Sequence, residues 1–255
     1  MPTLYVTGDS FSHIPPGHTN PRIWSIALAN RLGYKLANQS MPGAGQDWSC
    51  RYIDAVTNLI TPDDQLIFVV TDPARFWFYE EFPEVSNYHI WETDLIDRIG
   101  KARTKAIESY VKHIQRPALE FQAFLHRIGW LNNIATVRGW RKPLVVWGGF
   151  NHDINPQKIV DFPNLIFSKG NLLEISRQED VKDIPWVGLD TRYNHLCLSN
   201  HDILVDKLFD TLTNNSELNL LSGFKEKLFG LDAILNPEQE LNLVMVKQYR
   251  KEAKI

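Results

Sequence analysis

Residues 66–71, with the sequence LIFVVT, form a continuous run of apolar and mostly β-branched residues. A strand that is apolar on both faces is typical of a parallel sheet covered by helices on each side, because neither face of such a sheet meets water. We therefore expect residues 66–71 to be the central strand of a parallel sheet. Strand signals of this kind alternate along the chain with residues at helical spacing, which favours an α/β fold with right-handed crossovers.

The complete pattern predicts three layers, α/β/α, around a mostly parallel five-stranded sheet. The predicted strands cover residues 3–7, 34–38, 66–71, 144–147 and 165–167. The predicted helices cover residues 22–32, 47–60, 91–114, 118–137 and 200–212, and Gly33 suits the end of the first. We assign residues 1–213 to an α/β domain with a helical insertion at about 76–139, and residues 214–255 to a C-terminal extension.

The composition of the chain limits the kinds of partner that it can bind. The chain has 27 Lys and Arg against 30 Asp and Glu, so it has no broad cationic field for nucleic acid. The longest apolar runs fall well short of the roughly 18 residues of a membrane span, and the N-terminus lacks a basic signal region. We expect a soluble protein made in the cytoplasm. Its two cysteines are read as structural, and no histidine or carboxylate spacing matches a metal site, so we predict no metal.

Chemistry in such a sheet gathers where the strands end, at their carboxyl edge. Four segments lie at those positions: residues 8–12, 38–45, 71–75 and 190–196. They hold a serine, a glycine turn that exposes backbone amides, and a histidine. These are the groups that acyl transfer needs, since a nucleophile requires a base and its oxyanion requires hydrogen-bond donors.

These residues resemble the SGNH hydrolases, also called GDSL esterases. Gly8-Asp9-Ser10 is similar to the nucleophile block of that family, and Asn38 with Gly43 resembles its second block, whose glycine amide donates to the oxyanion. His195, followed by His201 at a helix start, resembles the last block. The resemblance frames roughly residues 1–213 and implies a flavodoxin-like strand order, Ser10 as nucleophile, His195 as base and no cofactor.

Two positions depart from the family's pattern. The third triad member usually stands three residues before the histidine, where this chain has Arg192, and the nearest acid is Asp190. Either Asp190 orients the histidine or Ser10 and His195 act as a dyad. The family's third block carries an oxyanion-binding asparagine, which is absent after the third predicted strand. Thr71, Arg75 and Asn151 are the candidates for that role.

Other readings of the same residues stay open. Asp9 suits a loop-holding role through backbone amides, and His201 suits packing at a helix start. The aromatic residues between 76 and 91 either line the mouth of the pocket or pack beneath the insertion. Residues 216–255 are a candidate docking segment for a partner or a second copy of the chain.

The sequence supports two alternative functions. By resemblance, the first is a serine esterase acting on a carboxylic ester, such as an O-acyl group on a carbohydrate or a small acyl ester. The second is a catalytically silent SGNH-like module that assembles through its C-terminal extension. The two differ in geometry, because the enzyme requires His195 within hydrogen-bond reach of Ser10.

Overall fold

The computed structural model describes residues 1–73, 75, 100–114, 116–148, 162–178 and 193–226. Within these ranges the strands are β1 (Thr3–Thr7), β2 (Lys35–Asn38), β3 (Gln65–Val70), β4 (Leu144–Trp147), β5 (Ile166–Asn171) and β6 (Leu218–Asn219). The helices are α1 (Trp24–Leu32), α2 (Gln46–Val56), α3 (Lys101–His113), α4 (Pro117–Arg138), α5 (Leu172–Gln178) and α6 (Leu198–Asn214). A short 3-10 turn, Tyr193–His195, precedes α6.

The described strands form one parallel sheet in the order β2-β1-β3-β4-β5-β6. The first five follow the flavodoxin-like order, in which the chain turns back between β1 and β3. Every residue of β3 is buried, which confirms the central strand expected from residues 66–71. Within the described ranges the sheet has six strands, one more than predicted. Because β6 is two residues long, it carries no hydrophobic alternation that would indicate a strand.

The two faces of the sheet pack against separate cores, because successive side chains of a strand point to opposite faces. On one face, Leu4, Val6, Ile67 and Val69 pack with residues of α1, α5 and α6. On the other face, Tyr5, Leu66, Phe68 and Val70 pack with residues of α2 and α4. This arrangement confirms the predicted three layers and holds the ends of β1 and β3 between two buried surfaces.

Helix ends differ from the sequence expectation by a few residues. Helix α1 starts at Trp24, and its N-cap residue Ile23 offers no capping side chain. The amide of Trp24 donates instead to Nδ1 of the fully buried His201, at 3.2 Å. His201 therefore has the structural role expected of it. Gly33 ends α1 in the left-handed conformation, as predicted. Helix α5 follows β5 directly and has no counterpart in the predicted elements.

The start of the predicted C-terminal extension is joined to the sheet. Strand β6 pairs with β5, and the side-chain amide of Asn200 donates to the carbonyl of Lys225 at 2.9 Å while its oxygen accepts from the Lys225 amide at 2.8 Å. Residues 218–226 thus contact both β5 and α6. None of the described helices is long and apolar enough to cross a membrane.

Candidate functional site

The site lies where β1 and β3 end side by side, at the point where the strand order reverses. Ligands of open α/β sheets bind at this switch point because the loops that leave the two strands diverge there. Strand β1 leads directly into Gly8-Asp9-Ser10, so the topology places Ser10 in that crevice.

The loop that carries Ser10 is a tight turn built on Asp9. The Asp9 carbonyl accepts hydrogen bonds from the amides of Ser12 and His13, each at 3.0 Å, and from the Ser12 hydroxyl at 3.2 Å. The Asp9 carboxylate accepts from the Phe11 amide at 3.0 Å. These bonds confirm that Asp9 holds the loop, and they leave Ser10 half-buried at its tip. We call residues 8–13 the nucleophile loop.

A close approach to β3 requires glycine at the start of this loop. A Cβ atom on Gly8 would lie 2.6 Å from Cβ of Val69 and 2.7 Å from the Val69 carbonyl oxygen. Ordinary contacts between carbon atoms are about 3.5–4.0 Å, so no side chain fits there. The nucleophile loop therefore lies directly against the end of the central strand.

Ser10 and His195 form the central pair of the site. The Nε2 atom of His195 lies 2.7 Å from Oγ of Ser10, within hydrogen-bond distance. The Phe11 ring packs against the imidazole, with ring centroids 4.7 Å apart. Since 185 residues separate Ser10 from His195 in sequence, only the fold brings them together. This pair has the geometry expected of a nucleophile and its general base.

The residue before the histidine also reaches the nucleophile loop. Nδ2 of Asn194 donates to the carbonyl of Ser10 and to the carbonyl of His13, each at 2.9 Å. Asn194 is 4% exposed, and both it and His195 have positive φ angles, 49° and 58°. No sequence motif marks Asn194, because hydrogen bonds to main-chain carbonyls leave no pattern in a sequence.

The second block, residues 38–45, is bonded to the nucleophile loop from another side. The Asn38 side-chain amide donates to the Ser12 carbonyl at 2.7 Å, and the Met41 amide donates to the Gly8 carbonyl at 3.0 Å. In return, Nδ1 of His13 donates to the carbonyl of Ser40 at 2.8 Å. The contact between His13 and Ser40 could not be predicted from the sequence.

The amides of Ser10 and Gly43 are among several in this region that donate no hydrogen bond to another main-chain group of the described loops. Gly43 has φ 73°, a left-handed conformation that favours glycine. Main-chain amides without a protein acceptor are available to water or to a ligand oxygen. Donors of this kind are what the resemblance implied for Gly43.

Thr71 and Arg75 follow the end of β3, and the Arg75 side chain contacts both Asp9 and Thr71. The Arg75 guanidinium is 3.3 Å from the Asp9 carboxylate and 3.0 Å from the Thr71 hydroxyl. Asp9 is 1% exposed and Thr71 is 2% exposed, so the ion pair between Arg75 and Asp9 is largely buried, next to Ser10 in sequence. The Gln46 side chain donates to the Thr71 carbonyl at 2.9 Å. Arg75 thereby links β3 to the residue that precedes Ser10.

Three sets of predicted site residues lie outside the described residues: Asp190 with Arg192, Asn151, and the aromatic residues between 76 and 91. Their roles stay predictions. Among the residues that the structure does describe, no group of three or more histidine, cysteine or acidic side chains could hold a metal ion.

Neither described cysteine has the surroundings of a nucleophile. Burial raises the pKa of the Cys50 thiol to about 12, against a smaller lowering by Arg127. Cys197 is 3% exposed. A reactive cysteine needs an accessible thiolate at neutral pH, and neither of these surroundings favours one.

Comparison with known proteins found distant structural similarities. The chain is similar to TesA, with 14% identity and a TM-score of 0.41, over 83% of this chain and 98% of that one. It is also similar to the psychrotrophic esterase EstA from Pseudoalteromonas sp. in a structure inhibited by monoethylphosphonate. That match has 11% identity and a TM-score of 0.46, over 83% of this chain and 97% of the other. No family model and no curated protein matches the chain.

Proposed function

We propose that this protein is a serine hydrolase of the SGNH type that cleaves a carboxylic ester, with Ser10 as nucleophile and His195 as general base. The observation that carries the proposal is the 2.7 Å distance between Nε2 of His195 and Oγ of Ser10. A silent module has no need of such a pair in a half-buried crevice at the switch point of the sheet.

In the first step, Nε2 of His195 accepts the proton of the Ser10 hydroxyl while Oγ forms a bond to the carbonyl carbon of the ester. The π electrons of the carbonyl move to its oxygen, which becomes an oxyanion. The amides of Ser10 and Gly43 donate to that oxygen. Donors held in place before the reaction stabilise this charge without reorganising, and each contributes about 10²–10³ in kcat.

The oxyanion then re-forms the carbonyl as the bond to the leaving oxygen breaks. The protonated His195 gives its proton to that oxygen, so an alcohol leaves and an acyl group stays on Ser10. Water attacks the acyl carbon in the second half, and His195 takes one of its protons. Breakdown of this second oxyanion returns the proton to Oγ of Ser10 and releases the carboxylic acid.

We assign Asp190 as the acceptor that orients His195, because it is the acid nearest the histidine in sequence. Phe11 supports the imidazole through ring packing at 4.7 Å, and Asn194 supports the backbone that carries it. Thr71, Arg75 and Asn151 stay the candidates for a third oxyanion donor. For substrate, we propose small acyl esters, including O-acyl groups on carbohydrates, because the sequence resembles a family of ester hydrolases.

The test compares wild-type protein with Ser10→Ala on p-nitrophenyl acetate, on a longer-chain p-nitrophenyl ester and on an acetylated sugar. A serine-directed fluorophosphonate probe is used in parallel. We expect wild-type turnover and covalent labelling of Ser10, and neither in Ser10→Ala. Ser216→Ala, at an exposed serine beyond α6, is the matched control and should behave as wild type.

The ester that turns over fastest identifies the substrate class. If folded wild-type protein neither turns over these esters nor reacts with the probe, the esterase proposal is wrong. The silent module would then be the better interpretation, and residues 216–255 would be the segment to examine for a partner.

A further inference from the structure

We infer that Asn194 is a positioning residue of the hydrolase, which holds the nucleophile loop at a fixed distance from the turn that carries His195. This inference rests on the proposed function, since it concerns the same two reacting groups. It adds a residue that the resemblance to the SGNH hydrolases does not assign.

The geometry is a closed ring. From Ser10, one path runs through its hydroxyl to the imidazole of His195 at 2.7 Å. The other path runs from the Ser10 carbonyl to Nδ2 of Asn194 at 2.9 Å, and Asn194 is joined to His195 by a peptide bond. Each of the two hydrogen bonds limits how far the two segments can separate when the other opens. The ring therefore fixes the distance over which the proton moves.

A second bond makes the amide a bridge. Nδ2 of Asn194 also donates to the carbonyl of His13, at 2.9 Å, so its two hydrogens are both directed at the nucleophile loop. The carbonyls of Ser10 and His13 belong to the second and the last residue of the turn built on Asp9. Contact at two points restrains rotation of the loop as well as its displacement.

Asn194 has features that lower the stability of the folded protein. Its Oδ1 atom is buried and has no hydrogen-bond partner in the described part of the structure, whereas most buried polar atoms have one. Its backbone is left-handed, as is that of His195. Unfavourable features that gather next to reacting groups point to a functional constraint, because stability alone would select against them.

Two substitutions separate the role of the Asn194 side-chain donor from that of its left-handed backbone. Glycine adopts the left-handed backbone at no steric cost but cannot bridge the carbonyls of Ser10 and His13. Aspartate keeps the size of asparagine but has only acceptors when ionised, so it would repel both carbonyls. A loss of rate shared by the two variants would come from the missing donor rather than from the backbone.

The experiment uses the full chain as wild type, Asn194→Gly and Asn194→Asp. The control is Asn215→Gly, at an exposed left-handed asparagine with φ 49° at the end of α6. We measure kcat and KM on p-nitrophenyl acetate, the rate of fluorophosphonate labelling at Ser10, and thermal unfolding. Labelling reports the reactivity of Ser10 alone, and thermal unfolding gives the fraction of each variant that is folded.

We expect kcat and the labelling rate to fall about 10–100-fold in Asn194→Gly, as small misplacements of reacting groups do. KM should change by no more than about twofold, because the amide does not bind substrate. Asn194→Asp should lose at least as much rate, and Asn215→Gly should match wild type.

Two results would overturn the inference while leaving the hydrolase intact. One is wild-type kcat and labelling in Asn194→Gly. The other is a loss of rate that matches the loss of folded protein, which would make the role of Asn194 structural. If Asn194→Gly does not fold, Asn194→Asp decides by the same criteria. A wild-type protein that is neither labelled nor active refutes the proposed function, and the inference with it.

Discussion

Adding a single methyl group at Gly8 should damage both stability and activity. The new Cβ in Gly8→Ala would lie 2.6 Å from Cβ of Val69 and 2.7 Å from the Val69 carbonyl oxygen. Relative to ordinary contacts of about 3.5–4.0 Å, the methyl group is too close by about 1 Å. Val69 is fully buried in the central strand, so the strand has no room to retreat and the nucleophile loop must move.

Moving that loop by about 1 Å has two consequences. Overpacking of a buried site costs typically 1–3 kcal/mol and occasionally more, and an obstacle made partly of backbone favours the upper end, about 2–4 kcal/mol. Ser10 lies two residues further along, so its distance from His195 changes as well. Misplacement of reacting groups by this amount lowers kcat about 10²-fold.

Urea unfolding and p-nitrophenyl acetate hydrolysis measure the two effects. Gly33→Ala is the matched control, because Gly33 has φ 70° and nothing lies within 4 Å of its added Cβ. That control should lose about 1–2 kcal/mol from left-handed backbone strain and should keep its activity. Equal losses of stability in the two variants, with wild-type kcat in Gly8→Ala, would refute the steric argument.

Two further predictions concern titratable groups. Burial raises the pKa of Asp64, but hydrogen bonds from Thr61 and Thr3 outweigh it and hold the pKa below its ordinary 3.8. Its contribution to stability is therefore present above pH 3.8 and lost as the pH falls through the lower, folded value. Asp64→Asn should lower the free energy of unfolding at neutral pH by about 2–4 kcal/mol, less in acid, while exposed Asp63→Asn should not; equal urea midpoints would contradict this. Because burial raises the pKa of Cys50 to about 12, its thiol should react with a disulfide reagent at neutral pH only after unfolding, and rapid reaction of the folded protein would show otherwise.

The fold was predictable because its elements leave periodic signals. The central strand is apolar at every position, and α6 repeats apolar residues at helical spacing, so burial and element type follow from sequence. Strand β6 and helix α5 leave weaker signals, since one has two residues and the other seven. Short elements are held by their neighbours, and their sequences do not indicate them.

The residues of the site that come directly after a strand could be predicted from the sequence. Ser10 follows β1 and Gly43 follows β2, so the parallel topology alone placed them at one edge of the sheet. The contacts of Asn194 and His13 were not predictable, because each binds a main-chain carbonyl in a distant segment. Every residue has such a carbonyl, so the choice of partner appears only in three dimensions.

The contacts of the nucleophile loop show how its position is fixed. Strand β3 holds it through the approach of Gly8, and the segment after β3 holds it through the ion pair of Arg75 with Asp9. The second block holds it through Asn38. In the described structure, the hydrogen bonds from the turn that carries His195 to the main chain of the nucleophile loop all come from Asn194. Loss of Asn38 or Arg75 leaves other contacts on the same side, whereas loss of Asn194 removes two of the hydrogen bonds that join the histidine turn to the loop in the described structure. Since proton transfer depends on the distance from Ser10 to His195, changes at Asn194 should affect rate more than stability, and changes at Asn38 should affect stability more than rate.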